Sequence, residues 1–246
     1  MFTAEDRDRL RDELVLAAGV DVRIGAAALI GSSALGREDR WSDIDLALCL
    51  AADADRTPAI ADWTDRMYDR HGAVHHLDMT RGETVYRVFL LSSTLQVDVS
   101  FWTQAQFGAI GPRFHLLFGA AAKPLAAVMP NAGELVGTGW LYALHARSSI
   151  ARGRVWQAEY MISAMRDQVL ALACLRHSLP AVQGRGMDRL PPETTVVVAQ
   201  ALVRSLEIPE LKRAFAQATR ALLVETERTD PALADRLTAP LRELAG

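Results

Sequence analysis

Between residues 4 and 18 the apolar positions Leu10, Leu14 and Ala17 or Ala18 recur three or four apart, with charges between them. That spacing predicts an amphipathic helix. The period then changes. "RIGAAALIG" is a short apolar run ending at Gly31 and reads as a buried strand, and "DIDLALCL" reads as a second. Residues 56 to 71 return to helical spacing through Ile60, Trp63, Met67 and Tyr68 and stop at Gly72, as helices often do. Three more strands are expected in "AVHHLDMT", "TVYRVFLL" and "TLQVDVSFW". The last two are joined through "SS", which suits a tight hairpin.

Residues 108 to 133 gather much of the glycine and proline and read as connecting structure. Long helical patterns follow at 133–151, 154–178, 193–206, 208–227 and 231–244, with proline near the start of the last two. "GRGMDRLPPE" at 184–193 reads as a mobile loop. No internal repeat or low-complexity tract interrupts the pattern. The fold class expected is α+β: an N-terminal mixed β-sheet domain with flanking helices over 1–107, a connecting segment over 108–132, and a C-terminal α-helical bundle over 133–246.

The chain has 246 residues, is 50% hydrophobic and carries a formal charge of -3. It is long enough to bury a proper core. Without a basic excess it is no obvious partner for nucleic acid. Cys49 and Cys174 lie singly in apolar stretches, with no spacing that suggests a disulfide framework or a metal site. A reducing, cytoplasmic setting is the simplest reading. The charged start "MFTAEDRDRLRDEL" is no signal peptide, and no apolar run is long enough to predict a membrane span.

Against this background Asp43 and Asp45 stand out. Two apart on a strand, they point to one face about 6.6 Å apart along it. Like charges so placed repel unless a cation lies between them. Oxygen ligands suit Mg²⁺, which uses one or two carboxylates plus substrate phosphates. Asp98 is the lone charge in "TLQVDVSFW". If that strand lies beside "DIDLAL", Asp98 completes a three-carboxylate site able to hold two metals about 3.5 to 4 Å apart. Gly31, Ser32 and Ser33 supply a turn where the backbone approaches closely, a serine caps the turn, and free N–H groups attract phosphate.

Gly31-Ser32, then Asp43-Ile44-Asp45, then Asp98 within a distant apolar strand resembles the nucleotidyltransferase superfamily of the DNA polymerase β type. The resemblance covers about residues 1–105. With the helical C-terminal part, the chain looks like the small aminoglycoside and lincosamide nucleotidyltransferases. The resemblance implies two Mg²⁺ ions on Asp43, Asp45 and Asp98, with Asp98 binding metal or activating the acceptor hydroxyl. It also implies a nucleoside triphosphate held by Ser32 (ATP as the default), a small hydroxyl-bearing acceptor and a homodimer.

Arg37 and Arg40, between the turn and the aspartates, are candidates for the triphosphate, because arginine suits phosphate. The competing reading is a solvated loop. Arg87, the only charge in "TVYRVFLL", is a candidate phosphate or carboxylate partner facing the cleft, or an exposed edge-strand residue. Glu159 shares a helix face with Ser163 and Arg166. Similar enzymes take acceptor-binding groups and sometimes the general base from the C-terminal helical domain, so the resemblance makes Glu159 a second candidate base. The competing reading is a Glu–Arg surface pair. His71, His75 and His76 read as structural, and Phe101 and Trp102 as core. Two alternatives stay open: an enzyme that AMPylates a protein, and an antitoxin-like nucleotide-binding protein without turnover. No motif in the helical half identifies the acceptor.

Overall fold

A computed structural model describes residues 1–110, 113–125 and 129–246. The chain forms two compact units, Met1–Ala127 and Val128–Gly246, and its class is α+β.

The first unit is built on a six-stranded mixed sheet. Its strands are β1 (Ile24–Ile30), β2 (Ile44–Leu50), β3 (Ala73–Arg81), β4 (Thr84–Leu91), β5 (Gln96–Trp102) and β7 (Phe114–Phe118), in the order β3-β4-β5-β2-β1-β7. Every neighbouring pair is antiparallel except β2 and β5, which run parallel. Two helices precede and follow the first strand pair. Thr3 and Asp6 close a capping box at the start of α1 (Ala4–Val20). Asp55 caps α2 (Arg56–His71), and Gly72, at φ 69°, ends it in the left-handed conformation that glycine adopts freely.

Side-chain alternation gives the sheet two different faces. Ile44, Leu46, Leu48 and Leu50 of β2, with Val97, Val99 and Phe101 of β5, pack against Leu14 and Ala18 of α1 and Ile60, Trp63 and Met67 of α2. The intervening residues face the other way. There Ala47, Cys49 and Trp102 join Ala26, Ala28 and Phe107 in a second, smaller core. Asp45 and Asp98 lie on this second face, toward the start of their parallel strands.

In this unit two local readings change. The stretch read as a connection supplies β7, which extends the main sheet beside β1. It also supplies β6 (Gly108–Ile110) and β8 (Ala122–Leu125), a separate parallel pair. Its glycine serves the turn after β7: Gly119 has φ 79°, and a β-carbon there would lie 2.3 Å from the Gly25 carbonyl oxygen. The β4–β5 hairpin turns over four residues rather than two. Leu91 N–H donates to the Leu95 carbonyl at 3.0 Å, with Thr94 at φ 71°.

The second unit contains α3 (Ala132–Ala151), α4 (Val155–Arg176), α5 (Pro192–Ala199), α6 (Ile208–Thr229) and α7 (Pro231–Ala245). Ile162, Met165, Val169, Leu211, Phe215 and Leu222 form the centre of its core. Glu225, 3% exposed, is held by Arg176 at 3.0 Å and Arg228 at 2.6 Å, which ties α6 to α4. The helix expected to run to residue 206 ends at Ala199. Beyond it, Arg213 donates to the Gln200 and Leu202 carbonyls, and Glu210 accepts from the Arg204 N–H, so side chains of α6 replace the intrahelical bonds. The segment read as a mobile loop contains a 3₁₀ turn at Met187–Arg189 and buries Leu190 with Ala171 and Cys174. Both cysteines are buried and unbridged. Among the described residues no helix is long and apolar enough to cross a membrane.

Candidate active site

The parallel register of β2 and β5 sets Asp45 directly opposite Asp98. Partners in such a pair share a face, on strands about 4.8 Å apart. Asp43, two residues before Asp45, falls on that face at the head of β2. Each of the three carboxylates offers an oxygen within 4.8 Å of the others, and all three are half-buried. Gln96, two residues before Asp98, adds a neutral group to the cluster. Its side-chain nitrogen donates to Asp43 Oδ2 at 3.2 Å and to Asp98 Oδ1 at 2.9 Å. Burial pushes the Asp98 carboxyl up to about 6; the Gln96 hydrogen bond opposes that rise and the neighbouring Asp43 charge adds to it. A site that costs this much to ionise is one a cation would relieve.

The turn after β1 runs against this cluster. Gly31 has φ 70°, and a β-carbon on it would lie 1.9 Å from Asp45 Oδ2. A 3₁₀ turn at Ser33–Leu35 follows and closes on Gly36, at φ 61°. The Ser32 hydroxyl does not cap this turn. Ser32 has helical dihedrals (φ -70°, ψ -37°) instead of the extended ones a capping residue needs. The Ser33 hydroxyl oxygen is buried and has no hydrogen-bond partner in the described structure. Such an orphan is unusual and asks for a ligand or water.

The loop from Gly36 to Asp43 is pinned to α1. Arg11 pairs with Glu38 at 2.8 Å, and buried Arg7 donates to the Asp39 carbonyl. Asp39 in turn accepts from the Trp41 N–H at 2.8 Å. Arg37 and Arg40 project from this loop and are exposed, with the Arg40 guanidinium 4.2 Å from the centre of the Trp41 ring.

Arg87 is placed elsewhere. Its strand partner Val99 faces the helix-covered core, whereas the next residue, Val88, is the partner of Asp98. Arg87 therefore points to the opposite face from the carboxylates. It binds Asp78 through two nitrogens at 2.7 and 2.6 Å and also donates to the Thr64 hydroxyl of α2. Its hydrogen bonds hold the Asp78 carboxyl below its ordinary range.

Glu159 lies on α4 in the second unit and is half-buried. The expected shared face is present: Ser163 donates to Glu159 at 2.7 Å, and Arg166 donates to Ser163 at 3.3 Å. The salt bridge of Arg166 is to Asp167, however, and not to Glu159. His76 bonds Tyr68 at 2.9 Å, and His71 lies 3.8 Å from Glu13. Phe101 and Trp102 are core residues, the Trp102 N–H donating to Ser100 at 2.7 Å.

Sequence reasoning passed over Gln96. The signal was available: it sits two residues before Asp98, hence on the same strand face.

No protein-family model and no curated protein matches the chain. Among solved structures it is similar to the crystal structure of an aminoglycoside 6-adenyltransferase from Bacillus subtilis, over 99% of this chain and 99% of that chain, at 10% sequence identity and a TM-score of 0.43. A likeness that distant carries no argument about activity.

Proposed function

We propose that the protein is a nucleotidyltransferase that moves a nucleoside monophosphate from a nucleoside triphosphate, ATP by default, to a hydroxyl of a small acceptor. The observation that carries this reading is the convergence of Asp43, Asp45 and Asp98 within 4.8 Å, beside a turn whose Gly31 lies so close to Asp45 that a β-carbon there would meet its Oδ2 at 1.9 Å. The donor set fits Mg²⁺: three hard carboxylate oxygens converge from β2, the residue just before it, and β5, and Mg²⁺ commonly combines one or two such carboxylates with substrate phosphates. Bound there, the metal would screen the charge of the phosphates and of the departing pyrophosphate.

The protein's own residues then have distinct tasks. Asp43 and Asp45, with Asp98, would hold the cation. The backbone of Gly31, Ser32 and Ser33 and the orphaned Ser33 hydroxyl take the phosphates. Arg37 and Arg40 reach for the outer phosphates from their exposed loop. Arg87, committed to Asp78 on the far face, has no part in this scheme. Asp98 accepts the proton of the acceptor hydroxyl. The acceptor oxygen bonds to the α-phosphorus as the bond to the bridging oxygen breaks, and pyrophosphate leaves. Glu159 is the second candidate for the base. Aminoglycosides and lincosamides are the acceptor classes to which the sequence resemblance points.

The test is incubation with each labelled nucleoside triphosphate, Mg²⁺ and a panel of aminoglycosides, lincosamides and cell extract. Pyrophosphate release and a labelled product are expected, and both should be lost in Asp43→Asn and Asp98→Asn. Undiminished release by both variants would overturn the reading. Nucleotide binding without release from any acceptor would favour a protein that binds nucleotide without turnover.

A further inference from the structure

Gln96 is the group in the carboxylate cluster that the proposed chemistry leaves unassigned. One side-chain nitrogen reaches two different aspartates, Asp43 at the head of β2 and Asp98 on β5. A primary amide carries two N–H bonds on that nitrogen, so one can be given to each carboxylate. The two oxygens engaged, Asp43 Oδ2 and Asp98 Oδ1, are fixed by this contact, which also fixes the rotation of each carboxylate about its own axis. Gln96 itself is exposed and lies at the first position of β5, so no core packing explains its presence.

We propose that Gln96 is a positioning residue: it locks the Asp43 and Asp98 carboxylates in the orientation that receives the divalent cation. This rests on the metal-binding reading above. The amide bonds one oxygen of each carboxylate, Asp43 Oδ2 and Asp98 Oδ1, and in this role the second oxygen of each would meet the cation. Ligating carboxylates are commonly held by hydrogen bonds of this kind, and losing one such partner costs about 10- to 100-fold in metal affinity. The opposite role is also concrete. If the amide sat where the cation goes, it would compete with it, and its removal would tighten binding. The two roles predict opposite signs.

Mn²⁺, which takes the same oxygen ligands, makes the test direct. Binding is followed by loss of the free-ion electron paramagnetic resonance signal, with no nucleotide present. The proteins are wild type, Gln96→Leu, Gln96→Thr and Asp45→Asn. Gln96→Leu keeps the bulk and removes the donors. Gln96→Thr is a strand-forming alternative should the leucine disturb folding, and thermal melting of each metal-free variant monitors the fold. The expected result is about 10-fold weaker Mn²⁺ binding by both Gln96 variants at unchanged stoichiometry, with an altered bound-ion line shape. Equal or tighter binding by the Gln96 variants, with wild type binding normally and Asp45→Asn not binding, would overturn the role of Gln96 and leave the metal site standing. Failure of wild type to bind Mn²⁺ would overturn the metal reading and this inference together.

Discussion

A β-carbon on Gly31 would lie 1.9 Å from Asp45 Oδ2, so the turn after β1 and the carboxylate on β2 fit side by side only when residue 31 has no side chain. The backbone makes the same demand independently, since Gly31 has φ 70°. The proposed phosphate turn and the proposed metal ligand are thus mutually fitted, and the fit can be broken at one atom.

Gly31→Ala is expected to cost about 1–2 kcal/mol for the left-handed backbone alone, and more for the clash. Its larger effect should be on the site, because the Asp45 carboxylate must rotate away. Gly36→Ala is the matched control. Gly36 has φ 61°, but nothing lies within 4 Å of a β-carbon there. It should show the backbone cost and keep its Mn²⁺ affinity, whereas Gly31→Ala should lose about 10-fold or more. Equal metal affinity in the two variants would show that the contact with Asp45 is unimportant.

Asp98 gives a pH dependence with a definite sign. Its folded-state carboxyl titrates at about 6, above its ordinary value of 3.8. Between those values the folded protein holds a proton that the unfolded chain releases. The stabilising contribution of this group is therefore complete below about 4 and is lost as pH rises through about 6. Asp98→Asn mimics the protonated form. In metal-free protein the variant should melt higher than wild type at pH 7.5, and the gap should close toward pH 5. Metal affinity runs the other way, because the cation needs the ionised carboxylate, so Mn²⁺ should bind more tightly as pH rises from 5 to 7. A gap between the two melting temperatures that is independent of pH would refute the assignment.

The carboxylates were legible because their signal is local and chemically costly. Asp43 and Asp45 two apart, and Asp98 alone in an apolar strand, have few folding explanations. Their convergence needed one further fact, the parallel pairing of β2 with β5, and apolar runs of this kind do not state their partners. Arg87 shows where the reading ran out. It was a lone charge in a strand as Asp98 was, but its neighbours Val85 and Phe89 belong to the helix-covered face, and parity places it with them. Its carboxylate partner, Asp78, is a cross-strand neighbour in the β3–β4 hairpin and was visible in the sequence as well. β7 was missed for another reason: a short edge strand among glycines and prolines has no period to read.

In the helical unit, the buried carboxylate of Glu225 depends on Arg176 and Arg228. Of the two arginines, Arg176 is the one on the other helix, and it bonds both carboxylate oxygens, at 3.0 and 3.1 Å. Arg176→Met would keep the stem and remove the charge, leaving Glu225 with a single partner. A loss of about 3 kcal/mol is expected, read from urea unfolding. Glu225→Gln, which removes the charge that must be neutralised, should cost less. The reverse order would mean that the pair contributes by packing and not by charge.

The assignment of the proton acceptor separates Asp98 from Glu159. Asp98 shares its strand face with Asp45 and lies within 4.8 Å of both other carboxylates, so a hydroxyl brought to the cation is brought to Asp98 as well. Glu159 belongs to α4 of the second unit. Its Oε1 accepts from Ser163 at 2.7 Å much as Asp98 Oδ1 accepts from Gln96 at 2.9 Å, so proximity to the other carboxylates is what favours Asp98. A general base contributes about 10²- to 10⁴-fold. Asp98→Asn should therefore lower kcat by about 10²-fold or more, and the loss of a proposed metal ligand would add to it. If Glu159 orients the acceptor instead, Glu159→Gln should raise KM while keeping kcat within about tenfold, since binding and chemistry are then affected separately. Steady-state kinetics on the acceptor identified by pyrophosphate release would decide the matter. A kcat loss above about 10²-fold in Glu159→Gln, with KM unchanged, would transfer the role of base from Asp98 to Glu159 and leave Asp98 as a metal ligand only.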